Sequence, residues 1–141
     1  MKTSMTETKE LTLMPMTERG IENAPKNLKE SLERAVAFMK ENTGSYGMYE
    51  DDKGCPCLIG SYFSKDQRAW IIAEDINDLP IYNAVRKIGH QNLLDLTAMN
   101  ADQCYVIQNY FDTGRRHELT RMIQEVLKGD RETINGIRFT L

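Results

Sequence analysis

The sequence predicts an α+β fold, in which a mainly helical single domain carries a small antiparallel sheet. The length of 141 residues suits one domain, and several segments repeat apolar residues at helical spacing. The dipeptide Asn135-Gly136 lies between two β-prone runs, which is the typical signal of a hairpin. We therefore expect an N-terminal arm (1–24), a mainly helical core (25–129) and a C-terminal β-hairpin (130–141) of the same domain.

Apolar periodicity and capping residues place the helices. Residues 26–42 carry one continuous apolar stripe. The last helix begins near Asp112 or Thr113, and Gly129 ends it. Between these two segments we expect three helices: one from Ser64 to about residue 74, one from the N-cap Asp78 to residue 88, and one over 101–111 after the N-cap Asn100. Residues 92–99 form a short helix or a loop.

Three segments are candidates for the sheet. The run "ELTLM" (10–14) alternates Leu with Thr or Met, and Pro15 stops it. Residues 46–59 read as a hairpin, with "DDKG" as the turn. Pro56 cannot donate a backbone hydrogen bond, so its strand would be an edge strand or would lead into a helix. The C-terminal hairpin is the third candidate, and the sequence does not decide which segments pair.

The charge is uneven along the chain and limits the classes of partner. The formal net charge is −3, and residues 41–80 carry three basic and eight acidic side chains. This acidic segment could attract a basic partner, or it could be a solvated face. Nucleic-acid binding is disfavoured, because no basic stripe with interleaved aromatic residues is present.

The apolar runs and the cysteines predict a cytoplasmic protein. The apolar runs are only a few residues long, so we expect no membrane segment. The N-terminus is too polar for the apolar region of a signal peptide. Three cysteines, an odd number, favour free thiols over a disulfide framework.

The cysteines could bind zinc, act as a nucleophile or pack as small apolar residues. Zinc is disfavoured, because the C-x-C spacing of Cys55 and Cys57 is not the usual knuckle and any site would need three separate segments. We therefore predict no metal and no cofactor. A nucleophilic Cys57 would need His90 or His117 as its base, and nothing in the sequence brings them together. Burial as a small apolar side chain is the alternative.

The segment "TGRRHE" (113–118) offers the best sign of a small ligand. No phosphate-binding glycine loop or nucleophile elbow is present. Arg115, Arg116 and His117 lie at the start of a predicted helix, where backbone N–H groups and guanidinium groups could hold an anion. The alternative is a surface turn, with an arginine paired to Asp112 or Glu118.

Short glycine-rich motifs resemble those of a family of small uncharacterised bacterial and phage domains. In that family a helix is followed by Gly-x-Tyr, an Asp-x-Gly turn and a Cys-x-x-Gly step. The matching residues are Gly47, Tyr49, Asp52, Gly54, Cys57 and Gly60, and later Asp112 and Gly114. Phe111 replaces the asparagine usual in that family. The resemblance implies that Cys57 is buried and begins a helix under the hairpin, that Cys55 is more exposed, and that Gly60 allows a close approach.

The expected function is that of a small soluble protein-interaction module. The resemblance suggests a phage or mobile-element accessory protein that binds a macromolecular partner, still unknown, or itself. Exposed β edges at both ends favour a homodimer. The alternative is a small anionic-ligand-binding protein or an enzyme that uses the turn 112–117 and Cys57.

Overall fold

Seven α-helices precede a two-stranded antiparallel sheet within the part of the chain that the computed structural model describes, which is residues 13–41, 44 and 46–141. This confirms the predicted α+β class. The helices are α1 (Glu18–Asn23), α2 (Leu28–Lys40), α3 (Lys65–Ala73), α4 (Ile81–Ile88), α5 (His90–Thr97), α6 (Ala101–Asp112) and α7 (Arg116–Lys128), with a 3-10 helix at Gly60–Tyr62 before α3. The strands are β1 (Thr133–Ile134) and β2 (Ile137–Arg138).

Local capping chemistry sets most helix ends where the sequence places them. Ser64 and Asn100 each form a capping box, with the glutamine three residues later, at the starts of α3 and α6. Gly129 ends α7 in the left-handed conformation. Two predicted helix starts were wrong. The N-cap of α4 is Pro80 rather than Asp78. Helix α7 begins at Arg116, after the N-cap Arg115, rather than near Asp112 or Thr113, and neither N-cap residue supplies a side-chain hydrogen bond.

Helix α6 lies at the centre of the packing. It contacts α4, α5, α7 and β2, while α2 packs mainly against α7. The inward side of α6 is buried at Cys104, Ile107 and Phe111. Removal of these apolar side chains from water is the main stabilising term of the core. Side chains at the C-terminal end of α6 are consequently held on a rigid element.

The C-terminal hairpin packs onto its own chain. Strand β1 contacts α7 and β2 contacts α6, and the side chains of Ile134 and Phe139 are buried. Asn135 and Gly136 both have positive φ, of 50° and 82°, as a tight two-residue turn requires. The apolar side chains of this hairpin are therefore covered within their own chain, while the homodimer stays a prediction.

Part of the predicted N-terminal arm also packs on the core. Thr17 caps α1 by accepting a hydrogen bond from the Gly20 backbone, and α1 contacts α5. Met14 is buried and its N–H donates to the Lys87 carbonyl at 3.1 Å. Residues 10–12 of the predicted first strand lie outside the described residues, and the remainder, Leu13 and Met14, forms no strand.

Among the helices of the described residues, none is long and apolar enough to cross a membrane.

Candidate functional site

The turn within the glycine-rich motifs is closed by Asp51. Its Oδ1 accepts hydrogen bonds from the backbone N–H of Lys53 at 2.9 Å and of Cys55 at 2.8 Å. Gly54 has a φ of 81°, a conformation that glycine adopts without steric cost. The family resemblance assigned the aspartate of this turn to Asp52, whose side chain is exposed. The capping carboxylate therefore belongs to the preceding residue.

The predicted 46–59 hairpin is reduced to one antiparallel bridge, between Glu50 and Pro56. Pro56 has no N–H, so it cannot donate to a longer ladder. The side chain of Asn77 pairs with Glu50 instead, accepting from its N–H at 3.1 Å and donating to its carbonyl at 2.8 Å. The Tyr49 hydroxyl donates to the Leu79 carbonyl at 2.9 Å. These bonds connect the segment that carries the glycine-rich motifs (residues 47–60, the motif segment) to the residues just before α4.

Gly60 packs directly against the backbone of Tyr49. A β-carbon built on Gly60 would lie 2.1 Å from the Tyr49 carbonyl oxygen. The same oxygen accepts a hydrogen bond from the Cys57 N–H at 3.1 Å. The close approach implied by the resemblance is present. The helix it implied is a single helical turn from Cys57 that leads into the 3-10 helix.

Cys57 is a buried structural thiol, only 1% exposed. Its Sγ accepts a hydrogen bond from the Gly60 N–H at 3.2 Å and lies 3.4 Å from Gln108 Oε1, to which the thiol donates. Burial raises the pKa of Cys57 to about 12. The thiolate that nucleophilic attack requires is therefore scarce at neutral pH. Cys55 is more exposed, as the resemblance implied.

Asp112, on the last turn of α6, connects that helix to the motif segment. Its Oδ1 accepts hydrogen bonds from the Gly47 N–H at 3.0 Å and from Gln108 Nε2 at 2.7 Å. The Oε1 of Gln108 accepts from the Ile59 N–H at 2.9 Å. Burial raises the pKa of Asp112, and the two hydrogen bonds offset this rise only in part. The sequence placed Gln108 on the partly buried side of a helix but assigned it no role.

A groove runs over this network. It consists of two adjoining cavities of about 170 Å³ each, which share Pro80, Ile81, Gln108 and Asp112. Its wall combines apolar and aromatic side chains with two carboxylates. The residues that line it are Gly47, Met48, Tyr49, Cys57, Asp78, Leu79, Pro80, Ile81, Tyr105, Gln108, Asn109 and Asp112.

Exposed apolar side chains border the groove. Tyr82 is 45% exposed, and its ring stacks on that of Tyr105 at a centroid distance of 4.8 Å. Met48, within the groove lining, is 37% exposed. Scattered exposed apolar residues are ordinary on protein surfaces, whereas these lie beside one concave region.

The predicted anion-binding residues lie apart from this groove, and Arg115 does not line the cavity that Arg116 and His117 share. Arg116 is only 8% exposed; its guanidinium stacks over Phe111 and donates to the Tyr46 hydroxyl at 2.8 Å. The guanidinium of Arg115 lies 4.0 Å from the ring centroid of Tyr110. His117 is exposed. The two arginines therefore do not face a common ligand position.

A separate cavity of about 390 Å³ lies at the start of α7. Its lining brings Lys40 next to Arg116 and His117, together with Met39 and Thr120. Gly114, in the preceding turn, has a φ of 77°. Within the described ranges, no three His, Cys, Asp or Glu side chains come together in a group that could hold a metal ion.

Comparison with known proteins finds partial likenesses. No protein-family model and no solved structure matches the chain. The chain is 27% identical over 98 residues to a nitrate reductase [NADH] of Brassica napus, and 24% identical over 98 residues to nitrate reductase [NADH] 1 of Arabidopsis thaliana. The aligned residues make up 69% of this chain and 11% of each nitrate reductase.

Proposed function

We propose that the protein is a small protein-interaction module that binds its partner in the groove at the C-terminal end of α6. The observation that supports this most directly is the position of the two adjoining cavities beside exposed Tyr82 and Met48. Tyrosine and methionine are enriched where proteins bind each other. The groove is held by rigid elements, since hydrogen bonds join α6, the motif segment and the residues before α4.

The division of the groove into two small cavities favours separate protein side chains over one buried small molecule. Each cavity measures about 170 Å³, whereas pockets for drug-sized ligands measure roughly 300–1,000 Å³. A protein segment lying across the surface could place one side chain in each cavity. The thiol of Cys57 lines the groove but is buried, and burial raises its pKa to about 12, which disfavours a nucleophilic thiolate.

The test is a selection of random twelve-residue displayed peptides on the immobilised protein. Amide chemical shifts of the isotope-labelled protein then map the site of each selected peptide. We expect the largest changes at Gly47, Gln108 and Asp112, and weaker binding by Tyr82→Ala. Ile72→Ala is the matched control, because Ile72 is an equally exposed apolar residue, at 46%, outside the groove lining. Selected peptides that map elsewhere, or no peptide at all, would contradict the proposal.

The second candidate, an anionic-ligand-binding protein, is favoured by the cavity that Lys40, Arg116 and His117 line. The cationic side chains of Lys40 and Arg116, next to His117 at the start of α7, would attract a phosphate group. Thermal melts with inorganic phosphate and with a nucleoside triphosphate test it. A ligand-induced rise in melting temperature should disappear in Lys40→Ala/His117→Ala and persist in Arg115→Ala, because Arg115 does not line this cavity.

The remaining parts of the functional prediction also stand as proposals. The phage or mobile-element origin rests on the resemblance, and the cytoplasmic location rests on the polar N-terminus and the free cysteines. The homodimer is testable by light scattering at tens of micromolar protein. A monomeric mass would reject the dimer without affecting the proposed groove.

A further inference from the structure

The groove has acidic groups and no compensating cation. Asp78 and Asp112 contribute carboxylates to its lining, and among the described residues that line it there is no lysine, arginine or histidine. The groove also lies partly within the acidic segment 41–80. Charge complementarity therefore favours a positively charged occupant.

The carboxylate of Asp112 is anchored through one oxygen. Oδ1 accepts from both Gly47 and Gln108, and no residue that the structure describes donates to Oδ2. Burial raises the pKa of Asp112, and the two hydrogen bonds offset this rise only in part. The negative charge of the carboxylate is therefore not fully compensated. An additional donor with a positive charge would supply a charge-assisted hydrogen bond to a group already held in position.

We propose that the partner segment inserts a lysine or arginine side chain into the groove, where its cationic group binds the Asp112 carboxylate. This inference rests on the proposed interaction function. The aliphatic stem of such a side chain would lie along the apolar wall at Pro80 and Ile81, as long cationic side chains commonly do. Tyr105 in the same cavity presents an aromatic ring to the cation.

The test compares charge variants against the displayed twelve-residue peptides described above. Selection on the wild-type protein should enrich lysine or arginine at one fixed position. In fluorescence anisotropy, Asp112→Asn should weaken a selected peptide at least tenfold, which corresponds to about 1.4 kcal/mol. Asp130→Asn is the matched control, since it removes one exposed carboxylate outside the groove and should leave affinity unchanged.

A double-mutant cycle assigns the loss to one contact. Glutamine in place of the basic peptide residue should weaken binding to the wild-type protein, but should cause little further loss with Asp112→Asn. Groove-bound peptides without an enriched basic residue, or equal binding to wild type and Asp112→Asn, would overturn the inference while leaving the proposed function intact. Absence of any peptide bound in the groove would overturn both. Thermal melts of both variants check that they remain folded.

Discussion

Replacing Gly60 with alanine should destabilise the protein, because the added β-carbon would clash with the backbone carbonyl of Tyr49. The added β-carbon would lie 2.1 Å from the Tyr49 carbonyl oxygen. The two segments cannot move apart without cost, because the Cys57 N–H donates to that same oxygen at 3.1 Å. Overpacking of this kind costs about 1–3 kcal/mol, and loss of the backbone hydrogen bond adds about 1 kcal/mol. Alanine returns about 0.4–1 kcal/mol by restricting the unfolded chain. We expect the free energy of unfolding to fall by about 2 kcal/mol.

Urea unfolding followed by circular dichroism measures this change. For a small domain, 2 kcal/mol corresponds to a midpoint shift of roughly 1 M urea. Gly114→Ala is the control, because nothing lies within 4 Å of a β-carbon there, while its φ of 77° still requires the left-handed conformation. The control should therefore lose the backbone cost of about 1–2 kcal/mol, less the same gain of about 0.4–1 kcal/mol from the restricted unfolded chain, so its midpoint should fall by less than that of Gly60→Ala. A Gly60→Ala midpoint equal to that of the wild type would refute the reasoning.

Three further predictions concern the C-terminal hairpin, the end of α5 and the carboxylate of Asp112. Phe139→Ala should lower the free energy of unfolding by about 3–5 kcal/mol, because the ring is buried, whereas exposed Thr140→Ala should change little in the same urea titration. Ala98→Gly should raise the melting temperature by about 2 °C, because Ala98 ends α5 with a φ of 60°; an unchanged or lower melting temperature would contradict this. The raised pKa of Asp112 means that its contribution to stability is present below its unfolded pKa and lost as pH rises through the folded value. Asp112→Asn should therefore be more stable than wild type at pH 7. In thermal melts the difference should shrink as pH falls through the folded pKa and close below the unfolded value of about 3.9. A less stable variant at pH 7 would show that the hydrogen bonds to the carboxylate dominate.

The sequence determined the elements that depend on interactions between residues a few positions apart in the chain. Apolar spacing placed α2 and α7, and the side chains of Ser64 and Asn100 placed the starts of α3 and α6, because a cap binds a backbone N–H only a few residues away. Asn135-Gly136 likewise formed the expected turn, since positive φ is a local steric preference. Helix α1 was missed, as its six residues carry little apolar periodicity.

Only the tertiary structure decided where those elements meet. The Asp112 carboxylate binds the Gly47 N–H, 65 residues away in sequence, and Gln108 bridges to Ile59 across 49 residues. Contacts of this kind depend on which apolar helix faces pack together. The sequence alone does not distinguish between many pairings of helix faces that would bury similar apolar surface areas. The same reason governs the tail. The sequence predicted a hairpin there, but helix packing decided that α6 and α7 of the same chain provide the surface on which it lies, with Phe139 buried.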